Sequence, residues 1–417
     1  MKHSIPFWGA PWVAVALLAA TTVHADEPLT LPAVFALARQ RGPDVLAAET
    51  ELRAEQASRV GATPLFAQNP SIEGGAGMIA EPQDLRWRNT SVGPGAQLSV
   101  AVPVEIALQR WRRVAAVDAR VNARIAERDA VIREALLSVG SGFYRALHAQ
   151  KLSHLARHSL AIAERLLEGA RKQHASGGLA EVDVRIAELE AETARRNHAV
   201  VNGAAELARG ELASLLGLRP AEVATVQGEL LRSDPLPSLE SALASAPTRP
   251  DVRAFDAGRQ AALKEANVAA ASVFPTPILK GTYQHWNGEH SLMAYVEMPL
   301  PVFDRGQGEQ ARARARAGGL AAQADNRLRL ARAEIENAHG IAVLLAEQRT
   351  KIRAATSAAD DELIERLERL YSARQVDLNT VITVRRQMLQ SRRESLDADL
   401  QEALVRLWLD AATGALR

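Results

Sequence analysis

Val296–Gln310 reads V-E-M-P-L-P-V-F-D-R-G-Q-G-E-Q, a strand that stops at two prolines and passes into a helix. Upstream, Leu292, Ala294, Val296 and Met298 alternate with Met293, Tyr295 and Glu297. This period of two predicts a half-buried β-strand over Ser291–Met298. Pro299 and Pro301 end the ladder because proline has no N–H to donate. Gly306 and Gly308 loosen the turn, and from Gln310 the chain is charged, alanine-rich and helical up to Tyr371. The same junction occurs earlier, where a strand over Gly95–Val104 ends at Pro103 and a helix is expected from Glu105. A short strand feeding a very long helix, used twice, organises the chain.

Working outward, the pattern predicts helices over Leu31–Arg41 and from an Asp44 cap to Val60, with Gly42-Pro43 between them. Strands are expected over Asn69–Ala80 and Gly95–Val104, joined by a polar loop carrying Trp87 and Arg88. A helix over Glu105–His174 would be on the order of 100 Å long. Gly177-Gly178 breaks it, and a shorter helix follows over Leu179–Leu216. A proline-rich linker at Ser233–Ser238 precedes a second round. There Arg249-Pro250-Asp251-Val252 echoes Gly42-Pro43-Asp44-Val45, and strands Pro277–Trp286 and Ser291–Met298 flank Asn287-Gly288. A helix over Gln310–Tyr371 turns near Arg374–Asp377 into Leu378–Leu409. This is an internal duplication, with units expected at 26–232 and 233–417.

In 417 residues aromatics are only 4%, which favours long helices packed through small side chains. The second long helix has a three-four spacing: Leu328, Ala331, Ile335, Ala338, Ala342 and Leu345, continued by Ile352, Ala359 and Leu363. That period specifies left-handed supercoiling. Net charge is +1, so nothing global points to nucleic acid. Lys2, the apolar run Val13–Ala20 and Val23-His24-Ala25 fit an export signal over Met1–Ala25. There is no cysteine, which excludes disulfides, thiol catalysis and lipid attachment through cysteine. No other stretch is apolar enough for a transmembrane helix, so spanning a membrane would fall to strands. In the second strand Ala96, Leu98, Val100 and Val102 oppose Gln97, Ser99 and Ala101, the apolar-out, polar-in pattern of a membrane barrel. Lys280, Thr282, Gln284 and Glu297 are assigned to the lumen, Leu279, Gly281 and Tyr283 to lipid. Tyr283, Trp286 and Tyr295 are candidate interfacial aromatics. Four strands cannot close a barrel and open edges are not tolerated in lipid, so closure requires several chains, three giving twelve strands.

Other clusters carry less. His154 and His158 with His148 form an incomplete metal set, and His285 and His290 read as exposed loop histidines. Arg312, Arg314 and Arg316 spread around a helix and make no phosphate-binding stripe. No phosphate-binding glycine loop, H-E-x-x-H or G-x-S-x-G is present, so neither an enzyme nor a cofactor is indicated.

The duplicated strand–strand–long helix–short helix order, the prolines Pro103, Pro299 and Pro301 at the junctions, and Tyr371-Ser372-Ala373 at the second turn resemble TolC-type outer-membrane efflux proteins. Pro299-Leu300-Pro301-Val302-Phe303-Asp304-Arg305-Gly306-Gln307-Gly308 is similar to the motif of the cobalt–zinc–cadmium (CzcC-like) subgroup. The resemblance implies a mainly α protein with a small transmembrane β part. It implies a homotrimer in the outer membrane of a Gram-negative bacterium, with a twelve-stranded barrel continued by an α-helical tunnel. It further implies a periplasmic adaptor and an inner-membrane pump of the RND type as partners, and divalent heavy-metal cations as cargo. A duct for organic drugs or secreted protein is the alternative within that class, and a periplasmic coiled-coil adaptor or scaffold the alternative outside it. The family commonly has glycine three residues after the turn tyrosine. Arg374 stands there, whereas Gly177 holds the equivalent place in the first repeat. Positions where some members carry tunnel-narrowing aspartates fall at Thr380 and Thr383. Asp377 and Asp183 are the nearby carboxylates, and these residues are the candidate periplasmic entrance.

Overall fold

The computed structural model describes residues 28–416, apart from 66–67, 83–89, 107, 224, 232–233, 272, 287, 356–365, 368, 372 and 374. The expected export signal, Trp87, Arg88, Asn287, Ala359, Leu363 and Arg374 lie outside the described residues. Helices α1 (Leu31–Arg41) and α2 (Pro43–Ala62) lead into strands β1 (Ser71–Pro82) and β2 (Thr90–Pro103), then α3 (Gln109–Ala175) and α4 (Glu181–Leu215). The order then recurs as α5 (Leu239–Ala244), α6 (Pro250–Ala271), β3 (Ile278–Trp286), β4 (Glu289–Glu297), α7 (Gln307–Ala355) and α8 (Leu378–Thr413). The chain is mainly helical, with one antiparallel sheet in the order β1-β2-β3-β4. Among the described residues no helix is long and apolar enough to cross a membrane.

Several boundaries differ from expectation for local reasons. Asp44 lies in the first turn of α2 and Gly42 takes the cap position instead, with Pro43 at the start, where a missing N–H costs nothing. Helix α3 begins at Gln109, four residues later than expected. The Val104 N–H still bonds to the Pro277 carbonyl at 2.8 Å, and Leu108 is in the left-handed region, φ 57°. Glu105, expected to open the helix, instead holds Arg113 at 2.5 Å across the junction. Strand β2 runs back to Thr90, through Gly93-Pro94, which the sequence places in the loop before a strand starting at Gly95. Its pairing with β3 begins only at Gly95↔Trp286, so Pro94 faces a strand on one side alone, the edge-like setting in which a sheet tolerates proline. Gly308 lies inside α7, and Gly306, at φ +70°, alone makes the turn. Helix α5 sits just past the linker, and an unforeseen segment after α4 forms a parallel bridge between Leu29 and Val226.

Both long-to-short helix turns close alike. In the first, Gly177 is left-handed at φ +74° and the Gly178 N–H reaches the Gln173 carbonyl at 2.8 Å. In the second, the Gln375 N–H reaches the Leu370 carbonyl at 2.9 Å. Such a six-residue closure satisfies carbonyls that a helix end leaves open.

The main core lies midway along the helices. Val34 and Leu37 of α1, Leu136, Val139 and Phe143 of α3, Leu212 of α4 and Leu407 of α8 bury one another there. Close approach depends on Gly140, because a Cβ there would lie 2.9 Å from Leu407 Cδ2 and 3.1 Å from Phe35 Cε1. On α7 the expected seam is buried at Ala331, Ile335, Ala338 and Ala342.

Beside it, the Arg249-Pro250-Asp251 motif ties four helices together. Arg249, fully buried, donates to both Asp251 oxygens at 3.1 and 2.8 Å and pairs with Glu334 at 2.8 Å. Arg327 of α7 bridges the same two acids at 2.6 and 3.0 Å. Arg133 of α3 reaches Asp251 at 3.4 Å and the Ala411 carbonyl of α8 at 3.1 Å. Burial raises the Asp251 pKa, but the arginines outweigh it and hold the carboxyl at about 2.

Candidate functional site

Strand pairing sorts the sheet into two chemically distinct faces. Because side chains alternate, residues in register share a face. One face carries Ile72, Leu98, Val100, Leu279, Tyr283, Leu292 and Val296, all exposed, Leu292 at 83%. The other carries Glu73, Gln97, Ser99, Lys280, Thr282, Gln284 and Glu297. On it Ser99 and Thr282 are 1% and 2% exposed and their hydroxyls lie 3.0 Å apart. Gln284 donates to Gln97 at 3.1 Å, Gln97 to Ser99 at 3.2 Å, and Lys280 pairs with Glu73 at 3.2 Å. The alternation therefore brings Lys280, Thr282, Gln284 and Glu297 to one face. Glu73 was not anticipated, because Gly74, Gly75 and Gly77 mask the period of β1, and its partnership with Lys280 spans sequence-distant strands. Of the candidate aromatics only Tyr283 lies on the apolar face; Trp286 and Tyr295 fall on the polar one.

Strands β1 and β4 each pair with one neighbour, so both edges of the sheet are open. Below them the junction prolines converge. Pro103, Pro299 and Pro301 line one cleft of about 610 Å³ with Phe274, Ile278 and Leu300. The loop beyond leaves Val302 and Phe303 outward, Phe303 at 92% exposure.

The far end of the helices holds the second candidate set. Tyr371 packs into a cluster with Leu166 and Ala170 of α3, Ala187 of α4, and Leu378, Val381 and Ile382 of α8. Its hydroxyl is buried and has no hydrogen-bond partner among the described residues. Burial raises its pKa, and the negative charge of Asp183 raises it further. Asp183 is half-buried in the first turn of α4, where the helix N-terminus favours an acid. Asp377 is the exposed cap residue of α8, and the Thr380 hydroxyl donates to its carboxylate. Thr383 is exposed one turn on. Tyr371 and Asp183 are thus brought near one another, while Asp377, Thr380 and Thr383 form a separate exposed edge. Arg386 of α8 reaches across to Glu190 of α4, with Nε at 3.1 Å, and Arg385 donates to the Ser159 carbonyl of α3 at 3.2 Å. Neither arginine was singled out, since nothing in a charged helix marks which residue will cross to a neighbour.

No cluster of three or more potential metal ligands occurs among the described residues. His148 is held by Asp397 of α8 at 2.8 Å, and His154 and His158 point outward from α3.

Residues 34–218 match the family model described as outer membrane efflux protein. No curated protein matches the chain at a significant level. Among solved structures the chain is similar to CusC, which is described in terms of transmembrane channel formation, with 17% identity, 92% of this chain and 91% of that one covered, and a TM-score of 0.70. It is similar to VceC, an outer membrane protein of Vibrio cholerae, at 17% identity over 92% and 96%, TM-score 0.67. It is also similar to the CmeC outer membrane channel of Campylobacter jejuni, at 14% identity over 92% and 85%, TM-score 0.71. The fold is that of these channel proteins.

Proposed function

We propose that this chain is an outer-membrane efflux protein, the exit duct of a tripartite efflux system. One observation carries the reading. A sheet with two open edges, an exposed apolar face and a hydrogen-bonded polar face runs directly into helices on the order of 100 Å long. An isolated open sheet of this kind leaves edge groups unpaired in lipid, where each costs several kcal/mol. Pairing β4 of one copy with β1 of the next removes the edges, and three copies close twelve strands around a lumen. The apolar face then meets outer-membrane lipid, while Lys280, Thr282, Gln284 and Glu297, with Glu73 and Gln97, line the passage.

The unit boundary falls at 232/233, so each protomer supplies two repeats. The helical end is the periplasmic entrance. Tyr371, Asp183, Asp377, Thr380 and Thr383 surround it; Arg374, of the same candidate set, lies outside the described residues. Opening it means parting α8 from α3 and α4, against the Tyr371 cluster and the Arg386–Glu190 pair. A periplasmic adaptor and an inner-membrane pump, of the RND type, complete the system and supply the energy. A duct needs no catalytic group, and selectivity comes from lumen width and charge. For the cargo, the Pro299–Gly308 motif favours divalent heavy-metal cations.

The test is growth of a deletion strain, with and without the gene restored, across zinc, cobalt, cadmium, nickel, copper, dyes and detergents. Sensitivity confined to divalent metals supports the cargo. Sensitivity to organic compounds with normal metal tolerance refutes the metal assignment and keeps the duct. Normal growth throughout contradicts both.

A further inference from the structure

The hairpin at the end of the sheet remote from the helices carries two histidines that form a pair. His285 of β3 and His290 of β4 are directly opposite in the ladder, one rung from the last pair, Trp286↔Glu289. Their ring centroids are 4.5 Å apart with planes inclined by 30°. The Tyr283 hydroxyl lies 2.6 Å from His290 Nδ1, and its ring stacks on the same imidazole at 5.9 Å. The Nδ1 of His285 is buried and lacks a hydrogen-bond partner among the described residues. Along the rung the neighbours are Ala96 and Ala76.

We propose that His285 and His290 form a two-imidazole binding site for a divalent ion of the imidazole-preferring class: Cu(II), Ni(II) or Zn(II). Neutral imidazole is a good ligand for all three. The antiparallel ladder fixes both backbones, so chelation orders little beyond two side-chain torsions. Metal–nitrogen bonds of about 2.0–2.1 Å require the two coordinating nitrogens to close on one point. His290 is exposed, and rotation of its ring supplies that movement. When His290 Nδ1–H donates to the Tyr283 oxygen, the Nε2 lone pair is left for the ion, an outer hydrogen bond of the kind that orients metal-binding histidines. His285 Nδ1 has no hydrogen bond to give up among the described residues. The pair lies on the same face as Tyr283 and Leu292, one rung from the hairpin turn, and water reaching that end of the strands completes the coordination.

The experiment uses full-length protein in detergent, stripped of metal with chelator and titrated with Cu(II), Ni(II) and Zn(II), with electron paramagnetic resonance of the Cu(II) form. The expected result is one ion per chain with two nitrogens in the copper spectrum. His285→Asn or His290→Asn weakens binding at least about tenfold and removes a nitrogen, and Tyr283→Phe weakens it about tenfold. The double variant His154→Asn/His158→Asn leaves binding unchanged. Oligomer mass and helical circular dichroism confirm that each variant is folded. Unchanged affinity and spectrum in folded His285→Asn and His290→Asn proteins would overturn the site, as would loss of binding in the helix control.

Discussion

Replacing Asp251 by alanine removes the acid that three arginines share. Arg249, Arg327 and Arg133 all reach its carboxylate, and Arg249 is fully buried. Among the described residues, after the change Glu334 alone answers Arg249 and Arg327, and Arg133 keeps only the Ala411 carbonyl and a 3.7 Å approach to exposed Glu134. Breaking a buried ion pair from one side costs about 3–5 kcal/mol, since the remaining charge stays desolvated. With an unfolding entropy of about 2.1 cal/mol/K per residue, that lowers the melting midpoint of a chain this size by about 3–6 °C. The assay is thermal melting in detergent followed by circular dichroism at the helical band. The same carboxylate gives a pH signature of defined sign. Its pKa falls from 3.8 to about 2 on folding, so its contribution is complete above about pH 4 and fades as the pH drops towards 2. With allowance for partial contact with solvent, that component is worth about 1–2 kcal/mol. Asp251→Asn should lack it, melting lower than wild type at pH 6 and converging with it near pH 2. An Asp251→Ala protein melting within 1 °C of wild type, or a parallel pH profile in Asp251→Asn, would refute the claim that this network clamps α3, α6, α7 and α8.

Three further outcomes follow from packing and faces. Tyr371→Phe removes a buried hydroxyl without a partner among the described residues, so stability should stay level or rise by up to about 1 kcal/mol; a loss of more than that in thermal melting would show that the hydroxyl is bonded. Gly140→Ala should cost about 1–2 kcal/mol, because crowding against Leu407 and Phe35 exceeds the gain in helix propensity, and a stabilised variant would contradict that packing. Leu292→Arg should cost about 2–4 kcal/mol and deplete the protein from the outer membrane, whereas Ser291→Arg, on the polar face, should not. Equal depletion by both, read by fractionation and immunoblot, would mean that the faces are assigned wrongly.

Much of this architecture was legible because its signals are local. Period two in β2, β3 and β4, proline at the junctions and glycine at Gly177 and Gly288 each act within a few residues, and the polar set Lys280, Thr282 and Gln284 needed only parity. What escaped depends on partners distant in sequence. The late start of α3 is set by Pro277 holding Val104, and the extent of β2 through Pro94 by where β3 begins. His285 and His290 looked like loop residues until the hairpin register placed them face to face. The Arg249–Asp251 motif was visible as a repeat of Gly42–Asp44, yet its role comes from Arg133, Arg327 and Glu334 on other helices. Glu73 was hidden among glycines that carry no alternation of their own.

The native mass of the protein, extracted from outer membranes with mild detergent and uncrosslinked, bears on the closed duct more immediately than any variant. Three chains per particle, resistant to extraction by salt or carbonate, is the result that twelve-strand closure predicts. A monomer in detergent, or release by carbonate alone, would contradict it and leave the sheet with edges that lipid does not tolerate.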